Sequence, residues 1–354
     1  MVSLIDPSWH DGGTAYVAVD AHKLDDFRPY IYRTHKFGKD WKQITAGIPD
    51  GSYVHAVRED PQHGGLLFAG TETGVFYSLD DGDHWQRLQL NLPPSAVHDL
   101  AIKNSDLIVA THGRAFWILD DISPLRQLAD MRAGASAYLF KPRPAIRFRR
   151  GGTGSAAAWK TAGQPAPPGA TLYYWLKEKH GKDDEVKLEI IDSTGKVVRH
   201  FSSRSKPPED DEAGKEEDED MKTPETLSSE QGLNRFVWDL RSEKPRELHG
   251  AVYDEGDPLG TLALPGNYQL RFTAGGRNYT QTLELRNDPR VKTSDDDLSK
   301  QYDLVAKLGD LLDQVNRATI EIRDVRAQLK VLGKRIEADD AAQPVRDADR
   351  KSVV

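Results

Sequence analysis

The stretch of sequence that decides the fold is SLDDGDHW at residues 78–85, because a related stretch, THKFGKDW, lies at residues 34–41. The two are 44 positions apart, and two more pairs of segments repeat at a similar distance. These are VHAV at 54–57 with VHDL at 97–100, and LFAGT at 67–71 with IVAT at 108–111. A period of roughly 40–45 residues with four short strands is typical of a β-propeller blade. The sequence therefore predicts a mostly β chain with about two and a half blades over residues 1–123; a plain β-sandwich with incidental similarity is the alternative.

The second stretch also carries a recognisable motif. Its pattern Ser78-x-Asp80-x-Gly82-x-x-Trp85 resembles the Asp-box turn of bacterial neuraminidase repeats (BNR repeats). In a turn of this kind the Asp accepts hydrogen bonds from backbone amides, the Gly takes a positive φ and the Trp packs between sheets. In the Asp-box families these are structural residues. The copy at 34–41 departs from the motif, because Lys36 stands where the Asp belongs.

The resemblance extends over nearly the whole chain. Residues 13–121, including GLLFAGTETGVFYS and VATHGRAFWILDD, look like the last blades of large bacterial BNR-repeat, glycosyl-hydrolase-like propeller proteins of the sialidase and sortilin type. In that family an Ig-like domain and a helical segment follow, and the proteins are largely exported. The first residues of this chain lack the segments of a signal peptide, so its own localisation stays open. Closed propellers have roughly four to eight blades. We therefore expect the C-terminal part of a larger protein, in which further blades or another chain cover the open edges.

The remainder divides into four segments by composition and pattern. Residues 124–169 are expected to be a connector with a strand-like patch at 137–149. Residues 170–290 contain six strand patterns with tight turns, which predict an Ig-like β-sandwich interrupted by an acidic insert at 203–231. A helix is predicted over 293–338 and a polar tail over 339–354. From Leu304 to Ile336 apolar residues follow a 4-3 spacing that is typical of a coiled coil. This stripe needs a partner helix, from elsewhere or from a second copy in a homodimer.

Charge and composition exclude several classes of function. The chain has a net charge of −8, but residues 209–220 hold nine acidic residues and one Lys, so the rest is balanced. A balanced remainder argues against a nucleic-acid-binding surface, and no segment is apolar enough to span a membrane. The chain has no cysteine, which excludes thiolate metal sites. The eleven histidines are scattered without metal-ligand spacing, and the repeat-equivalent His55 and His98 are interpreted as structural. Residues 254–257 lack the full ligand series of a calcium loop. The sequence thus predicts no metal and no cofactor.

Blade geometry indicates where ligand-binding residues belong. The loops at the end opposite the turn at 78–85 contain Asp20, His22 and Arg28 in the first blade, Glu72 in the second, and His112 and Arg114 in the third. Glycoside hydrolysis needs two carboxylates roughly 5–10 Å apart. Asp25 and Glu72 are the catalytic candidates, with Asp20 and Asp26 as further carboxylates. The alternative is that these are solvated loop charges, with Asp20 paired to Arg114.

Two functions follow from the pattern. The first is a scaffold that binds a protein or a glycan and is not catalytic by itself. The second is a part of a glycoside hydrolase, sialidase-like or otherwise exo-acting, whose pocket needs further blades.

Overall fold

The computed structural model describes residues 1–131, 134–148, 167–181, 184–204, 226–248, 250–253, 256, 258–336 and 344. Within these residues the chain is mostly β, with five sheets and a long helix near the C-terminal end. All but one of the strand pairings inside the sheets are antiparallel, the exception being β13 with β19. Most of the predicted acidic insert (203–231), three residues of the 254–257 segment and nearly all of the polar tail (339–354) lie outside the described residues.

The first three sheets are antiparallel meanders, in which each strand pairs with the next along the chain. The first contains β1 (Val2–Pro7), β2 (Ala15–Val19), β3 (Ile31–Thr34) and β4 (Lys42–Gln43). The second contains β5 (Val54–Glu59), β6 (Leu67–Thr71), β7 (Gly74–Ser78) and β8 (Gln86–Arg87). The third contains β9 (Val97–Lys103), β10 (Asp106–Thr111) and β11 (Phe116–Leu119). A meander repeated in succession is the arrangement that the sequence repeat predicts.

The three meanders pack on one another through two apolar cores. Tyr16, Ile31 and Phe76 belong to the core between the first and second sheets, and Phe68 and Leu107 to the core between the second and third. Full burial of side chains of this size stabilises a fold by about 1.5–3 kcal/mol each. These cores fix the order of the sheets.

An arginine joins the first strands of the three sheets, which lie side by side. Arg58 on β5 places Nη1 3.0 Å from an Asp6 carboxylate oxygen on β1. Its Nη2 lies 3.1 Å from an Asp99 oxygen on β9, and its Nε donates to the Leu100 carbonyl over 2.9 Å. The Arg58 guanidinium therefore bonds to both neighbouring first strands, β1 and β9.

The turn at 78–85 is held by the hydroxyl and carboxylate of its own motif. Ser78 Oγ accepts hydrogen bonds from the amides of Asp80 and Gly82, and Asp80 accepts one from the amide of His84. Gly82 has a φ of +89°. Trp85 is 4% exposed and donates its Nε1 hydrogen to the Ile44 carbonyl of the first sheet over 2.8 Å. The tryptophan thus packs against the preceding sheet.

The equivalent turn at 34–41 uses a threonine in place of the serine. Thr34 Oγ1 accepts hydrogen bonds from the amides of Lys36 and Gly38. Lys36 forms an ion pair with Asp40 instead of supplying the missing carboxylate. Trp41 is 45% exposed, because no described segment covers this face of the first sheet. The two tryptophans therefore differ in their neighbours, and the first turn also lacks the carboxylate that Asp80 supplies in the second.

The second half of the chain forms two sheets around one core. One sheet has the order β12 (Ala137–Leu139), β14 (Ala170–Leu176), β17 (Gly232–Trp238). The other has the order β13 (Ala145–Arg147), β19 (Arg277–Asn287), β18 (Gly266–Ala274), β15 (Lys187–Ile191), β16 (Val197–Ser202). Tyr174 and Trp238 from the first and Leu188 and Phe272 from the second lie in a shared core. The predicted patch at 137–149 forms two strands, one in each sheet. The Ig-like assignment stays a prediction.

The described elements also include two α-helices and two short 3-10 helices, His22–Leu24 and Leu128–Asp130. The four-residue helix α1 (Ser123–Arg126) follows β11, and α2 spans Asp295–Ile336. The Ser294 hydroxyl accepts a hydrogen bond from the amide of Asp297, which caps the N-terminal end of α2. Asp313 and Asn316 on α2 hydrogen-bond to the backbone of Arg246. Within the described part of the chain, neither helix has the length and apolar character that crossing a bilayer requires.

The predicted apolar stripe lies on a different side of α2 from these contacts. Its large apolar side chains are 48–67% exposed. They are Leu304, Leu308, Leu311, Val315, Ile322, Val325, Leu329 and Leu332. Among the described residues, nothing covers this stripe.

Candidate functional site

The candidate site lies at the end of the three meanders opposite the turn at 78–85. Residues 20–30 join β2 to β3, residues 72–73 join β6 to β7, and residues 112–115 join β10 to β11. In an antiparallel meander these loops share one end, and the β7–β8 turn lies at the other. Side-by-side packing of the sheets brings the three loops together, as the sequence predicts.

β-Bulges at equivalent positions direct side chains toward these loops. The register of β1 with β2 skips Ser3, that of β5 with β6 skips His55, and that of β9 with β10 skips His98. A bulge adds one residue to a strand and changes the direction of its side chain. The same local irregularity in three successive sheets therefore places one side chain from each first strand at the same end.

A row of five rings crosses the three sheets at this end, and we call it the ring row. It consists of His22, Tyr53, His55, His98 and His112. Successive ring centroids are 4.9 Å, 5.1 Å, 4.3 Å and 5.1 Å apart. The His98 and His112 rings are nearly parallel, with an angle of 13° between their planes. These spacings are those of rings in direct contact, so the row is continuous from the first sheet to the third.

Two carboxylates flank the central histidine of the row. Glu72 Oε2 lies 3.2 Å from His55 Nε2, and Asp20 Oδ2 lies 3.8 Å from His55 Nδ1. The other Asp20 oxygen, Oδ1, accepts hydrogen bonds from the backbone amide of His22 and from its Nδ1 at 2.6 Å. The side chains of Asp20 and His55 are each 11% exposed. Asp20 therefore links two rings of the row.

The pKa values at the site follow from burial and from these contacts. Partial desolvation lowers the pKa of the His98 imidazole, although the residue remains exposed, and the neighbouring His55 and His112 rings lower it further. Burial raises the pKa of Tyr53 to about 12, with help from a hydrogen bond to Glu72. Burial also acts to raise the pKa of Asp20, but the hydrogen bonds from His22 outweigh it, so that this pKa lies below its usual value. The site thus favours an ionised Asp20 and a neutral His98 near pH 7.

Three of the predicted site residues are not members of the ring row. Arg28 forms a bidentate ion pair with Asp26, at 2.9 Å and 2.7 Å, and this carboxylate also accepts a hydrogen bond from Tyr30. Asp25 is exposed and ends the short 3-10 helix His22–Leu24 with a left-handed φ of 63°. Arg114 is exposed in the β10–β11 loop. Asp20 pairs with His22, so the alternative pairing with Arg114 is wrong.

The sequence pattern does not bring together the strand residues that the bulges direct into the ring row. It favours a structural role for His55 and His98, and the described fold places both with Glu72, so that one donor atom from each of the three residues lies within 4.8 Å of the others. Tyr53 was not identified at all. The repeat of VHAV and VHDL was the only signal, since it marks His55 and His98 as equivalent residues.

Comparisons with known proteins give only remote similarity. No protein-family model and no curated protein sequence matches the chain. Solved structures that resemble it are propeller-type proteins. YCF48 bound to D1 peptide has a TM-score of 0.26 and 15% identity, over 34% of this chain and 36% of that one. YCF48 from Cyanidioschyzon merolae has a TM-score of 0.25 and 16% identity, over 34% and 40%.

A glycoside hydrolase is also among these structures. The GH74 enzyme of Niastella koreensis has a TM-score of 0.29 and 10% identity, over 49% of this chain and 28% of that one. The chain therefore spans less than half the length of each of these three proteins. Because these TM-scores are below 0.3, the description of the fold rests on the sheets of this chain and not on the similar structures.

Proposed function

We propose that residues 1–123 are blades of an Asp-box (BNR-type) propeller and that a further blade covers the open face of the first sheet. Trp85 supports this, because it is buried against the sheet that precedes its own. Trp41 occupies the equivalent position and stays 45% exposed. Phe37, in the same turn, is 82% exposed. A segment equivalent to residues 44–48, supplied by another blade, would bury Trp41 as that segment buries Trp85.

We further propose that the ring row is the ligand-binding surface of this propeller and that its ligand is a glycan. The single observation that carries this proposal is the continuity of five rings across three sheets, next to two carboxylates. The terminal rings of the row, His22 and His112, each have one face that no other ring of the row covers and on which the C–H side of a sugar can stack. Carboxylates accept hydrogen bonds from hydroxyl groups, and imidazoles can accept or donate them. Binding sites commonly combine such rings with a few convergent polar groups.

The ion pairs of the carboxylates favour binding without catalysis. Asp20 holds His22, Glu72 contacts His55, and Asp26 is paired with Arg28. A glycosidase needs one carboxylic acid that donates a proton and one carboxylate that attacks or activates water. Carboxylates engaged in ion pairs with histidine or arginine are poorly suited to the proton-donating role. The chain by itself is therefore proposed to bind and not to hydrolyse.

One observation keeps the glycoside hydrolase as a second candidate. Asp20 and Glu72 approach the same imidazole from its two nitrogens, so two carboxylates lie close together beside the proposed ligand surface. If they act in hydrolysis, the purified chain cleaves aryl glycosides, and Glu72→Gln or Asp20→Asn abolishes cleavage. Asp25→Asn tests the remaining sequence-based candidate in the same assay. Cleavage by the chain would overturn the binding role, whereas absence of cleavage is also expected of a hydrolase whose pocket needs further blades.

The second half of the chain is proposed to be scaffold. The two sheets around one core would be an Ig-like module, and the stripe of α2 would pair with the same stripe of a second copy. Its 4-3 spacing, which extends over more than four heptads, is that of a coiled coil. Dimerisation would bring two ligand surfaces into one particle and raise the apparent affinity for a repeating glycan.

A glycan array tests the proposed function. The chain is labelled and applied to the array together with the variant Tyr53→Ala, which interrupts the ring row. The proposal expects selective binding by the chain and its loss in the variant. A parallel pull-down from cell extract tests the alternative ligand class: retention of proteins, with an array that remains blank, would favour a protein ligand over a glycan.

A further inference from the structure

We infer that His55, Glu72 and His98 form a binding site for a divalent transition metal ion. One donor atom from each residue lies within 4.8 Å of the other two. Zinc bonds to nitrogen and carboxylate oxygen are about 2.0–2.2 Å long. Three atoms no farther apart than 4.8 Å need to move by less than about 1 Å each to reach a common ion at that distance. The backbone can stay in place during such a change.

The contact between His55 and Glu72 indicates how the ion would be held. His55 Nε2 and Glu72 Oε2 are 3.2 Å apart, which is close to the separation of two ligand atoms that bind one zinc ion at about 2.0–2.2 Å each. A metal ion between them would bond to both atoms. His98, whose ring centroid is 4.3 Å from that of His55, supplies the third ligand. Its side chain is exposed, which leaves it room to rotate toward the ion.

Asp20 is suited to be a positioning residue for this ion. Metal-bound histidines usually donate their second ring N–H to a carboxylate, which fixes the ring and increases its basicity. Asp20 Oδ2 faces His55 Nδ1 at 3.8 Å, on the side of the ring away from Glu72. The carboxylate is itself fixed by two hydrogen bonds from His22 to Oδ1. For Asp20 to accept a hydrogen bond from a metal-bound His55, only this 3.8 Å distance has to shorten.

The donor set points to the class of metal. Two imidazoles and one carboxylate are ligands for zinc and its neighbours among the divalent transition metals, while calcium and magnesium prefer oxygen donors alone. Three protein ligands leave a coordination position for water or for a ligand oxygen. The ion would lie within the proposed ligand surface, but its binding does not depend on the glycan proposal, because all three donors belong to this chain.

Calorimetry on the metal-stripped, tag-free chain tests the inference without any glycan. The chain is dialysed against chelator and titrated with ZnCl₂, and Co²⁺ is used in parallel because its visible absorption reports the geometry of its ligands. Variants His98→Ala and Glu72→Gln each remove one donor at a surface position. The matched control is His84→Ala, which removes a histidine paired with Asp80 at 2.6 Å at the opposite end of the sheets.

The inference expects saturation at about one ion per chain. It also expects a loss of affinity in both donor variants that is larger than the roughly 10–100-fold loss typical of positioning residues. Asp20→Asn should fall in that smaller range, and His84→Ala should bind as the unmodified chain does. No saturable binding of Zn²⁺, or equal affinity in His98→Ala and the unmodified chain, would overturn the site. Neither result would bear on glycan binding, which the array measures separately.

Discussion

The His55 and His98 rings lie 4.3 Å apart between centroids, although 42 residues separate them in the chain. Each is the bulge residue of the first strand of its sheet. A repeat places equivalent residues at equivalent points of successive sheets, and the bulge directs both side chains to the same end. The site is therefore a product of the repeat and not of any local motif.

The two tryptophans of the repeat should differ sharply in their contribution to stability. Trp85→Ala removes a buried ring and its hydrogen bond to Ile44, and we expect the free energy of unfolding to fall by about 3–5 kcal/mol. Trp41→Ala should cost about 1 kcal/mol or less, because this ring is half-exposed. Urea unfolding of both variants gives the comparison. Equal losses of unfolding free energy in the two variants would contradict the description of Trp85 as buried and Trp41 as half-exposed, on which the proposal of a covering blade rests.

The Ser78 hydroxyl should be essential to the turn that carries Trp85. Ser78→Ala leaves the amides of Asp80 and Gly82 without their acceptor, and an unsatisfied buried donor costs about 1–3 kcal/mol. Ser78→Thr is the matched control, since Thr34 makes the same two contacts in the first copy of the turn. Thermal unfolding should separate the two variants. A threonine variant as unstable as the alanine variant would refute this description of the turn.

The stability of the first two sheets should decrease at alkaline pH through Tyr16. Burial, followed by its hydrogen bond to Asp81 and by the charges of Asp81 and Glu59, raises the pKa of Tyr16 well above the usual value. This contribution is fully present below about pH 10, the pKa of an unfolded tyrosine, and is lost as pH rises further, since only the unfolded chain releases the proton.

Tyr16→Phe isolates that contribution. The free energy of unfolding of the variant should decrease less steeply above pH 10, by up to about 1.4 kcal/mol per pH unit. Below pH 9 the difference between the two proteins should be constant. Chemical denaturation at a series of pH values measures both slopes, and parallel curves above pH 10 would show that Tyr16 does not titrate in this way.

The exposed stripe of α2 should mediate dimerisation. We expect light scattering after gel filtration to give twice the mass of one chain. Replacement of Leu308 and Leu329 together by lysine should give a monomer, because it places charges in the middle of the seam. Ala327→Lys is the control, because it adds a lysine at an exposed position on the side of the helix opposite the stripe. A chain that remains monomeric at every accessible concentration would exclude the homodimer.

Much of the architecture could be predicted from the pattern of the sequence. The sequence repeat predicts blades of short strands over residues 1–123, and three meanders of short strands lie there, because the repeated segments and the turn residues mark them. Helix α2 begins two residues inside the predicted range, and its described part reaches Ile336. The sequence pattern does not predict strand β1 (Val2–Pro7), because apolar and polar residues alternate only weakly along it. In the structure it is an edge strand that pairs with β2.

The site could be predicted only in part, for a physical reason. Loop residues such as Asp20, His22, Glu72 and His112 were found because blade topology fixes the end at which their loops emerge. His55 and His98 lie within strands, where alternation alone does not reveal the direction of a bulged side chain. The direction of each side chain depends on one extra residue in the pairing register, and no residue pattern in the sequence indicates where that extra residue lies.

Isothermal titration calorimetry with the strongest array ligand tests most directly the central claim that the ring row binds the ligand. The measurement compares the unmodified chain with Tyr53→Ala and with His112→Ala, with His84→Ala as the control at the other end of the sheets. The account predicts saturable binding by the chain and by His84→Ala, and at least tenfold weaker binding, about 1.4 kcal/mol, by both ring-row variants. Unchanged affinity in both ring-row variants would contradict it.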